Sequence, residues 1–271
     1  MFTYKDKDIF VFKMSVVFAI LAKNKEIFLP IFLNCLYNQT YKKKDIHLYI
    51  RTNDNTDKTT DILKKFIEKY GNEYGSVFYN EESVCENLKK YGEHEWNCER
   101  FKILGKIRQD SIDYAKSLNA DYFVVDCDNF IMPNTLEKMY KLRELGVVAP
   151  MLRTDNNYSN FHYEVDKNGY YMTHPEYFNL INRQKKGVYS LKVVHCVYFI
   201  NNAVLKDICY DDNSRRYEYV IFSDTLRKKQ IEQYLDNRED YGLISFSNTK
   251  EELDAYLIKT GFTAFDLLNF L

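Results

Sequence analysis

The chain has 271 residues, of which 38 are basic and 39 acidic, and its formal net charge is −1. This balance disfavours nucleic-acid binding, which usually relies on a strongly basic surface, and a hydrophobic content of 45% excludes a disordered protein. At about 150 residues per domain the length allows one or two domains. Because the chain has only nine glycines and four prolines and no Gly/Ser-rich linker, we expect one domain over residues 1–271.

The first apolar stretch, residues 9–22, is interrupted by Lys13 and Ser15 and is shorter than the ~20 residues that a membrane span needs. We therefore expect no transmembrane segment. No basic region with a small-residue cleavage site precedes this stretch, so the sequence predicts no signal peptide and, by default, a cytoplasmic protein. The six cysteines show no C-x-x-C or C-x-x-H spacing, which favours free thiols over a zinc or redox site.

Strands and helices alternate along the first part of the chain. Residues 16–21 form a continuous apolar run, and residues 46–50 alternate before the polar residues 52–57, so both runs are predicted to be strands that end in polar loops. Residues 25–38 and 59–70 carry apolar side chains at helical spacing, which predicts two helices that cover the sheet.

The middle of the chain continues the alternation. Residues 100–118 predict the longest helix, and residues 122–125 predict a buried strand that ends at two carboxylates, Asp126 and Asp128. Residues 134–145 predict a further helix. This order favours an α/β fold with a mostly parallel sheet, whose ligands bind beyond the carboxyl ends of the strands. The polar loops after the three predicted strands should then share one edge of the sheet.

The two carboxylates of the Asp126-x-Asp128 motif are the most informative feature. Side chains two apart on a strand point the same way, so we expect both carboxylates to face one crevice. Two unpaired carboxylates that close repel each other unless a cation lies between them. A divalent metal that also binds a diphosphate satisfies this requirement. The alternative is a solvated Asp126 with Asp128 capping the next helix, and the motif alone leaves both interpretations open.

The order of short sequence blocks resembles the first glycosyltransferase domain of the procollagen galactosyltransferase family (glycosyltransferase family 25). The resemblance covers almost the whole chain, and no single block carries it. The blocks are residues 19–24, 52–59, 106–109, 120–122, 126–129, 148–152, 158–161, 169–171, 194–195 and 237–242. This resemblance implies a GT-A fold, in which a Rossmann-like, mostly parallel sheet flanked by helices holds a nucleotide sugar.

The resemblance also implies a reaction. It is the inverting transfer of galactose from UDP-galactose to the 5-hydroxylysine oxygen of a collagen-like polypeptide, with Mn²⁺ as cofactor. Asp126, Asp128 and, as one possibility, His195 are the implied metal ligands; His195 is alternatively a ligand of sugar or acceptor hydroxyls or a core histidine. Because the relatives carry a second glycosyltransferase domain, the chain is alternatively the N-terminal part of a longer protein. The animal members work in the endoplasmic reticulum lumen, which is the alternative to the cytoplasmic default. The other functions left open are a non-catalytic UDP-sugar-binding domain and a transferase that uses glucose or a glycan acceptor.

The catalytic base is expected on the opposite side of the sugar from the metal. We predict Glu218, in a segment similar to one where the relatives have paired aspartates, so that this chain departs from the pattern. Asp224, Asp211 and Asp212 are the substitutes. The alternative role for Glu218 is a carboxylate of the first helical turn, favoured there by the helix dipole.

Several residues are predicted to bind the nucleotide sugar. They follow the predicted strands or lie on the helix before the metal motif; Asn53 stands where the relatives have Asp, and Asn129 is a candidate for a sugar hydroxyl. The predicted set is Ala22, Lys23, Asn24, Asn53, Lys106, Arg108, Cys127 and Asn129. For Lys106 and Arg108 the alternative is a solvated helix face. Aromatic residues at 158–161 and 170–171 are predicted to line the acceptor side, and His94 and Trp96 to line the donor pocket or hold a loop.

Overall fold

A computed structural model of the chain describes residues 14–84 and 97–262. The described strands are β1 (Val16–Ala22), β2 (Ile46–Thr52), β3 (Ser76–Asn80), β4 (Asp121–Val125), β5 (Asn129–Ile131), β6 (Val147–Pro150), β7 (Phe161–His162), β8 (Glu164–Val165), β9 (Tyr171–Met172), β10 (Val188–Leu191), β11 (Val193–Val194), β12 (Val197–Ile200), β13 (Gln233–Asp236) and β14 (Gly242–Ile244). The described α-helices are α1 (Leu29–Tyr37), α2 (Thr59–Tyr70), α3 (Cys98–Ser117), α4 (Thr135–Lys141), α5 (Pro175–Ile181), α6 (Asn202–Leu205), α7 (Glu218–Lys228) and α8 (Lys250–Thr260). Short 3₁₀ turns cover Lys43–Asp45, Gly71–Glu73 and Arg143–Leu145.

Eight of these strands form one sheet in the order β10-β13-β6-β12-β4-β1-β2-β3. Strands β1 to β4 run parallel to one another, and β6 runs parallel to β13. Only β12, between β4 and β6, and β10, at one edge, pair in the antiparallel sense. The predicted α/β fold with a mostly parallel sheet is therefore confirmed.

Helices cover both faces of the sheet, which explains the continuous apolar runs in its strands. In β1, Val16, Phe18 and Ile20 pack in the core beneath α1 and α2, whereas Val17 and Ala19 pack in the opposite core beneath α3 and α7. Each strand of this kind must be apolar on both sides, because neither face meets water.

The predicted elements match the described ones with two shifts. The first helix begins at Leu29 rather than at residue 25, because Pro30 lies in its first turn and residues 25–28 form a separate turn. The helix predicted over residues 134–145 ends at Lys141 and continues only as a 3₁₀ turn. Strand β3 and most of the elements after α4 had no counterpart in the sequence prediction. Cys85, His94 and Trp96 lie outside the described residues, and the five described cysteines are free.

One edge of the sheet collects the polar loops. Strands β1, β2 and β4 end there, and because β12 runs the other way, its first residue Val197 pairs with Val125, the last residue of β4. Residues 195–196 therefore lie beside the Asp126 motif, and the prediction that the loops after the first strands share one edge is confirmed. No helix within residues 14–84 and 97–262 is long and apolar enough to cross a membrane.

Gly242 supports this edge through the pairing of β14 with β5, which begins directly after the Asp126 motif. Its φ is +139°, and a Cβ atom there would lie 1.9 Å from the carbonyl oxygen of Phe130. We expect Gly242→Ala to lower the free energy of unfolding by roughly 2–5 kcal/mol, from backbone strain and a backbone clash that cannot relax. The measurement is urea denaturation. The matched control is Gly261→Ala, which has φ +63° but open space around the Cβ position and should cost only about 1–2 kcal/mol; equal losses would contradict the clash.

Candidate functional site

Asp126 and Asp128 lie on a turn and not on a strand. Strand β4 ends at Val125, and the backbone N–H of Asn129 donates to the carbonyl of Asp126 at 2.9 Å, which reverses the chain. The alternation expected from a strand is therefore wrong here. Each carboxylate instead contacts its own cation: Arg108 binds Asp126, and Lys25 binds Asp128.

Arg108 is the central residue of the site. It lies on α3, and only 6% of its surface is exposed. Its Nη2 donates to both carboxylate oxygens of Asp126, at 2.9 and 3.2 Å, and its Nε lies 3.5 Å from Oε1 of Glu218. Burial acts to lower the pKa of Arg108, but the two carboxylates outweigh it and hold the pKa well above its usual value. One buried cation thus joins two buried or half-buried anions.

Glu218 is the first residue of α7, so it lies in a first helical turn, as the alternative interpretation of this residue expected. Its side chain is buried, and helix α3 comes close to it at Gly105, where a Cβ atom would lie 2.8 Å from the carbonyl oxygen of Tyr210 and 3.5 Å from the Cβ of Glu218. Burial raises the pKa of Glu218, and Arg108 opposes that rise. Oε2 of this carboxyl group is buried and has no hydrogen-bond partner.

Lys25 follows β1 and was predicted only as part of a helix. Its Nζ lies 2.7 Å from Oδ2 of Asp128, and its backbone N–H donates to Oγ1 of Thr59 at 2.6 Å. Burial acts to lower the pKa of Lys25, but Asp128 outweighs it and the pKa is raised. The ammonium group is therefore charged at the edge of the sheet, beside the carboxylate turn.

His195 enters the site on a strained turn. The N–H of Val197 donates to the carbonyl of His195 at 2.7 Å, which closes a γ-turn around Cys196. Cys196 has φ +63°, a value that residues with a side chain rarely adopt. Its carbonyl accepts from the N–H of Asp126 at 3.0 Å, so the strained turn positions both His195 and the carboxylate turn.

Five aromatic rings, that of His195 included, form what we call the aromatic cluster: Tyr158, His162, Tyr171, His195 and Tyr219. Neighbouring ring centroids are 5.2 to 5.8 Å apart. Burial lowers the pKa of His162 to about 4 and the pKa of His195 well below its usual value, so both imidazoles are neutral at pH 7. The two histidines form a buried floor, whereas Tyr158 and Tyr171 are exposed at the rim.

An unusual number of buried polar atoms in this region lack a partner. Among the described residues they include Nε and Nη1 of Arg108, Oε2 of Glu218, Nε2 of His195, Nδ1 of His162 and both amide atoms of Asn129. A buried polar atom without a hydrogen bond costs roughly 1–3 kcal/mol, so native proteins leave few of them. Their concentration at one sheet edge indicates a site that a polar ligand or water completes.

A cavity of about 460 Å³ lies further along the same edge, beside β2, β3 and α3. Its wall includes Phe78, whose ring stacks on Tyr49 with centroids 5.0 Å apart, and the polar side chains of Arg51, Asn80 and Lys106. Lys106 is exposed and pairs with Asp110 on the same helix. Lys106 and Arg108 therefore have different surroundings: Lys106 lines this cavity, whereas Arg108 is buried beside Asp126 and Glu218.

The remaining predicted donor residues lie in the loops after β1 and β2. Ala22 is buried, and its carbonyl accepts from Thr52, whereas Lys23 is exposed. Asn24 has φ +50° and is hydrogen bonded to residues 55 and 56. Asn53 is buried and donates to Asp54 at 3.1 Å. These contacts order the two loops against each other.

Two predicted site residues contact other parts of the protein: Cys127 contacts the core, and Asp224 contacts a group of cations. The thiol of Cys127 points into the core, where Sγ lies 3.6 Å from the carbonyl oxygen of Leu21, and burial raises its pKa. Asp224 contacts three cations, Arg216, Arg227 and Lys228. Burial acts to raise the pKa of Asp224, but Lys228 and Arg216 outweigh it and lower the pKa, which makes Asp224 a weaker base than Glu218.

The donor set around Asp126 and Asp128 suits a hard divalent cation only in part. Within residues 14–84 and 97–262, no three His, Cys, Asp or Glu side chains come close enough together to hold a metal. Two carboxylates on one turn do match the way Mg²⁺-like ions are bound, through one or two carboxylates together with water and substrate phosphates. A metal held here would therefore depend on the nucleotide for the rest of its ligands.

Three residues of the site escaped the sequence reasoning. Lys25 directly follows the loop that was predicted to bind the donor. Its position as a cation at the carboxyl edge of a parallel sheet could have identified it as a site residue. His162 directly follows the predicted aromatic block 158–161, and Tyr219 follows Glu218. For these two, only the folded arrangement of β7 and α7 reveals the contact with His195.

Comparison with known proteins identifies relatives of this chain. A family model described as "Glycosyltransferase family 25, N-terminal domain" matches residues 13–255. The "Inactive glycosyltransferase 25 family member 3" of Mus musculus is 34% identical over 189 residues, which cover 69% of this chain and 32% of that protein. The "Procollagen galactosyltransferase 1-A" of Xenopus laevis is 29% identical over 238 residues, which cover 84% of this chain and 39% of that protein. The chain thus spans between about a third and two fifths of these relatives.

Solved structures share the fold at low sequence identity. S. aureus TarS 1–349 in complex with UDP-GlcNAc has a TM-score of 0.56 and 15% identity, and the match covers 90% of this chain and 62% of that one. The mannosyltransferase PcManGT from Pyrobaculum calidifontis, in complex with GDP-Man and Mn²⁺, has a TM-score of 0.55 and 11% identity, with 94% and 66% covered. These likenesses confirm the predicted GT-A fold.

Removal of the buried guanidinium should be costly. Arg108→Met would leave Asp126 and Glu218 without their shared cation, and we expect the free energy of unfolding to fall by roughly 3–5 kcal/mol. Urea denaturation measures the loss. Lys106→Met, two residues away on the same helix but in an exposed pair, is the control and should change stability by less than about 1 kcal/mol. Similar effects of the two substitutions would contradict the central position of Arg108.

The buried His162 should make the protein sensitive to acid. Its pKa is lowered from 6.5 to about 4, so below pH 6.5 the unfolded chain takes up a proton that the folded protein does not. Stability is complete above pH 6.5 and falls as the pH drops toward 4, by roughly 3 kcal/mol from this residue. In urea titrations across this range, His162→Phe should lose less stability than the wild type. Tyr171→Phe, which alters a neighbouring ring but retains His162, should lose stability in acid as the wild type does. If its stability instead depended on pH as that of His162→Phe does, the loss in acid would not come from His162.

Proposed function

Because this chain belongs to glycosyltransferase family 25, we propose that it transfers galactose from UDP-galactose to the hydroxyl of 5-hydroxylysine in a collagen-like polypeptide, with inversion at the anomeric carbon. The observation that carries the proposal is the carboxyl group of Glu218, which is buried at the polar sheet edge with Oε1 beside Arg108 and Oε2 without a partner. The name of the Xenopus laevis relative supports the choice of sugar and acceptor.

Glu218 is the proposed general base. In the reaction the acceptor oxygen forms a bond to the anomeric carbon while the bond from that carbon to the UDP oxygen breaks, and the acceptor proton passes to Glu218. Burial raises the pKa of this carboxyl group toward neutral pH, which makes its carboxylate a better base. Arg108 opposes full neutralisation, so that the carboxylate stays available.

The leaving diphosphate is proposed to bind at the carboxylate turn. Asp126 and Asp128 are the residues that would hold Mn²⁺, which when bound neutralises charge on the departing UDP. Lys25 adds a cation of the chain itself at the same place, 2.7 Å from Asp128. The complexes of PcManGT with GDP-Man and Mn²⁺ and of TarS with UDP-GlcNAc support a metal and a nucleotide sugar for this fold.

The nucleoside is proposed to occupy the cavity beside β2, β3 and α3. Its volume of about 460 Å³ is within the range of small-molecule sites. The stacked Tyr49 and Phe78 offer an aromatic wall, while Arg51, Asn80 and Lys106 offer hydrogen-bonding groups that a uracil or ribose could use. The loops after β1 and β2 contact each other and lie at the same sheet edge as this cavity and the carboxylate turn.

A second candidate function is UDP-sugar binding without transfer. The Mus musculus relative, at 34% identity, is named as inactive, and Glu218 stands where the resemblance would place paired aspartates. The chain also spans only part of its relatives, so another domain of a longer protein would then carry the activity. The third candidate is a transferase that uses glucose or a glycan acceptor.

The test is release of UDP from UDP-galactose and from UDP-glucose, each with and without Mn²⁺ and with and without a hydroxylysine-containing collagen peptide. We expect release that depends on Mn²⁺ and is stimulated by the peptide with UDP-galactose. Glu218→Gln should lower the turnover number by about 10²- to 10⁴-fold, the usual contribution of a general base. In Asp126→Asn and Asp128→Asn, adding Mn²⁺ should no longer increase the release of UDP.

Asp254→Ala, in an exposed pair on α8, is the control and should retain full turnover. Full turnover in both the Asp126→Asn and the Asp128→Asn proteins would refute the metal site. Tight UDP binding by the wild type with no stimulated release would establish the binding function instead, and stimulation by a glycan alone would change the acceptor class.

A further inference from the structure

The two carboxylates of the Asp126-x-Asp128 turn are paired with cations that differ in their freedom to move. Arg108, which binds Asp126, is 6% exposed and also contacts Glu218, so its guanidinium is enclosed by protein. The pair of Lys25 and Asp128 lies nearer the surface, with 28% and 30% of the two side chains exposed. Arg108 is therefore a fixed part of the site, whereas Lys25 lies at its solvent side.

The backbone of Lys25 is fixed, and only its side chain is able to move. Its N–H donates to Oγ1 of Thr59 at 2.6 Å, and its carbonyl accepts from the N–H groups of Phe28 and Leu29, each at 3.0 Å. Nζ lies 2.7 Å from Oδ2 of Asp128 and 5.0 Å from the centre of the Phe28 ring. Because a lysine carries its ammonium group on a flexible four-carbon stem, Lys25 can exchange Asp128 for another anion without a change in the main chain.

Lys25 binds the same carboxylate that a metal would need. A divalent ion held by Asp128 would add its positive charge beside the ammonium group of Lys25 and near the guanidinium of Arg108. Like charges a few ångströms apart repel each other strongly when they are partly shielded from water. A diphosphate brings negative charge to the same place, and its oxygens accept from an ammonium group as a carboxylate does. Lys25 therefore opposes the metal alone but not the metal together with a diphosphate.

On the basis of the proposed function, we propose that Lys25 competes with the divalent ion for Asp128 and moves to the diphosphate when the nucleotide binds. Lys25 thereby opposes binding of the metal before the nucleotide and makes the two ligands bind cooperatively. Such coupling is reciprocal: the factor by which the nucleotide raises the affinity for the metal equals the factor by which the metal raises the affinity for the nucleotide.

The experiment measures the binding of Mn²⁺ to the whole chain by electron paramagnetic resonance, with and without UDP. For the wild type we expect UDP to tighten the binding of Mn²⁺ by roughly tenfold or more, because a close repulsion is replaced by attraction. Without UDP, Lys25→Met should bind Mn²⁺ about tenfold more tightly than the wild type, and UDP should then tighten the binding by a smaller factor. In calorimetric titrations without Mn²⁺, Lys25→Met should bind UDP more weakly than the wild type, because the diphosphate has lost a cation.

Further substitutions test the charge and the place. Lys25→Arg retains a positive charge and should keep the wild-type effect of UDP, whereas Lys25→Gln should behave as Lys25→Met. Lys64→Met is the matched control and should bind Mn²⁺ as the wild type does. Lys64 also pairs with a carboxylate, that of Glu81 at 2.8 Å, and lies over an aromatic ring, that of Tyr79. Addition of Asp128→Asn to Lys25→Met should remove the gain in Mn²⁺ affinity.

Equal affinities of Lys25→Met and the wild type for Mn²⁺ without UDP would overturn the proposal. The same tightening by UDP in both proteins, or a gain that persists after Asp128→Asn, would overturn it as well. Failure of the proposed function has a different signature: no release of UDP with any acceptor, while Mn²⁺ and UDP still bind cooperatively and Lys25→Met still weakens that cooperativity.

Discussion

The buried guanidinium of Arg108 is the interaction on which the site depends. It joins three elements that are distant in sequence: helix α3, which carries it, the turn after β4 through Asp126, and the start of α7 through Glu218. A buried charge is tolerated only when opposite charges contact it, so the guanidinium requires both carboxylates to stay where they are. The same pairing keeps Glu218 close to the carboxylate turn, while Oε2 of Glu218 has no hydrogen-bond partner.

The direction of β12 decides what else reaches this site. Because β12 runs antiparallel to β4, its start lies beside the end of β4, and the γ-turn around Cys196 places its carbonyl on the N–H of Asp126. A strand in the common parallel direction would have put His195 at the far edge of the sheet. The strained turn, the carboxylate turn and the aromatic cluster therefore lie close together at this part of the structure, and the cavity beside β2, β3 and α3 is a separate feature.

Much of the fold could be predicted from the sequence. Apolar runs at residues 16–21 and 122–125 are typical of strands buried on both faces, and the periodic stripe of residues 100–118 is typical of a helix packed along one side. The position of the Asp126 motif at the carboxyl end of a strand followed from the same pattern. Its geometry did not, because whether a strand continues or turns at Asp126 depends on the partner strands and on the hydrogen bond to Cys196.

The sequence by itself determined the alternating strands and helices, the polar sheet edge with its two carboxylates, and the family to which the chain belongs, since each depends on local periodicity or on the order of short blocks. Only the tertiary structure decided which charged side chains meet. Lys106 and Arg108 are two residues apart on one helix and look alike in sequence, yet they lie on opposite sides of that helix. Lys106 is exposed to solvent, whereas Arg108 is buried between two carboxylates. The contacts of Lys25 with Asp128 and of His162 with His195 have the same origin, because long-range packing, unlike periodicity, leaves no local pattern.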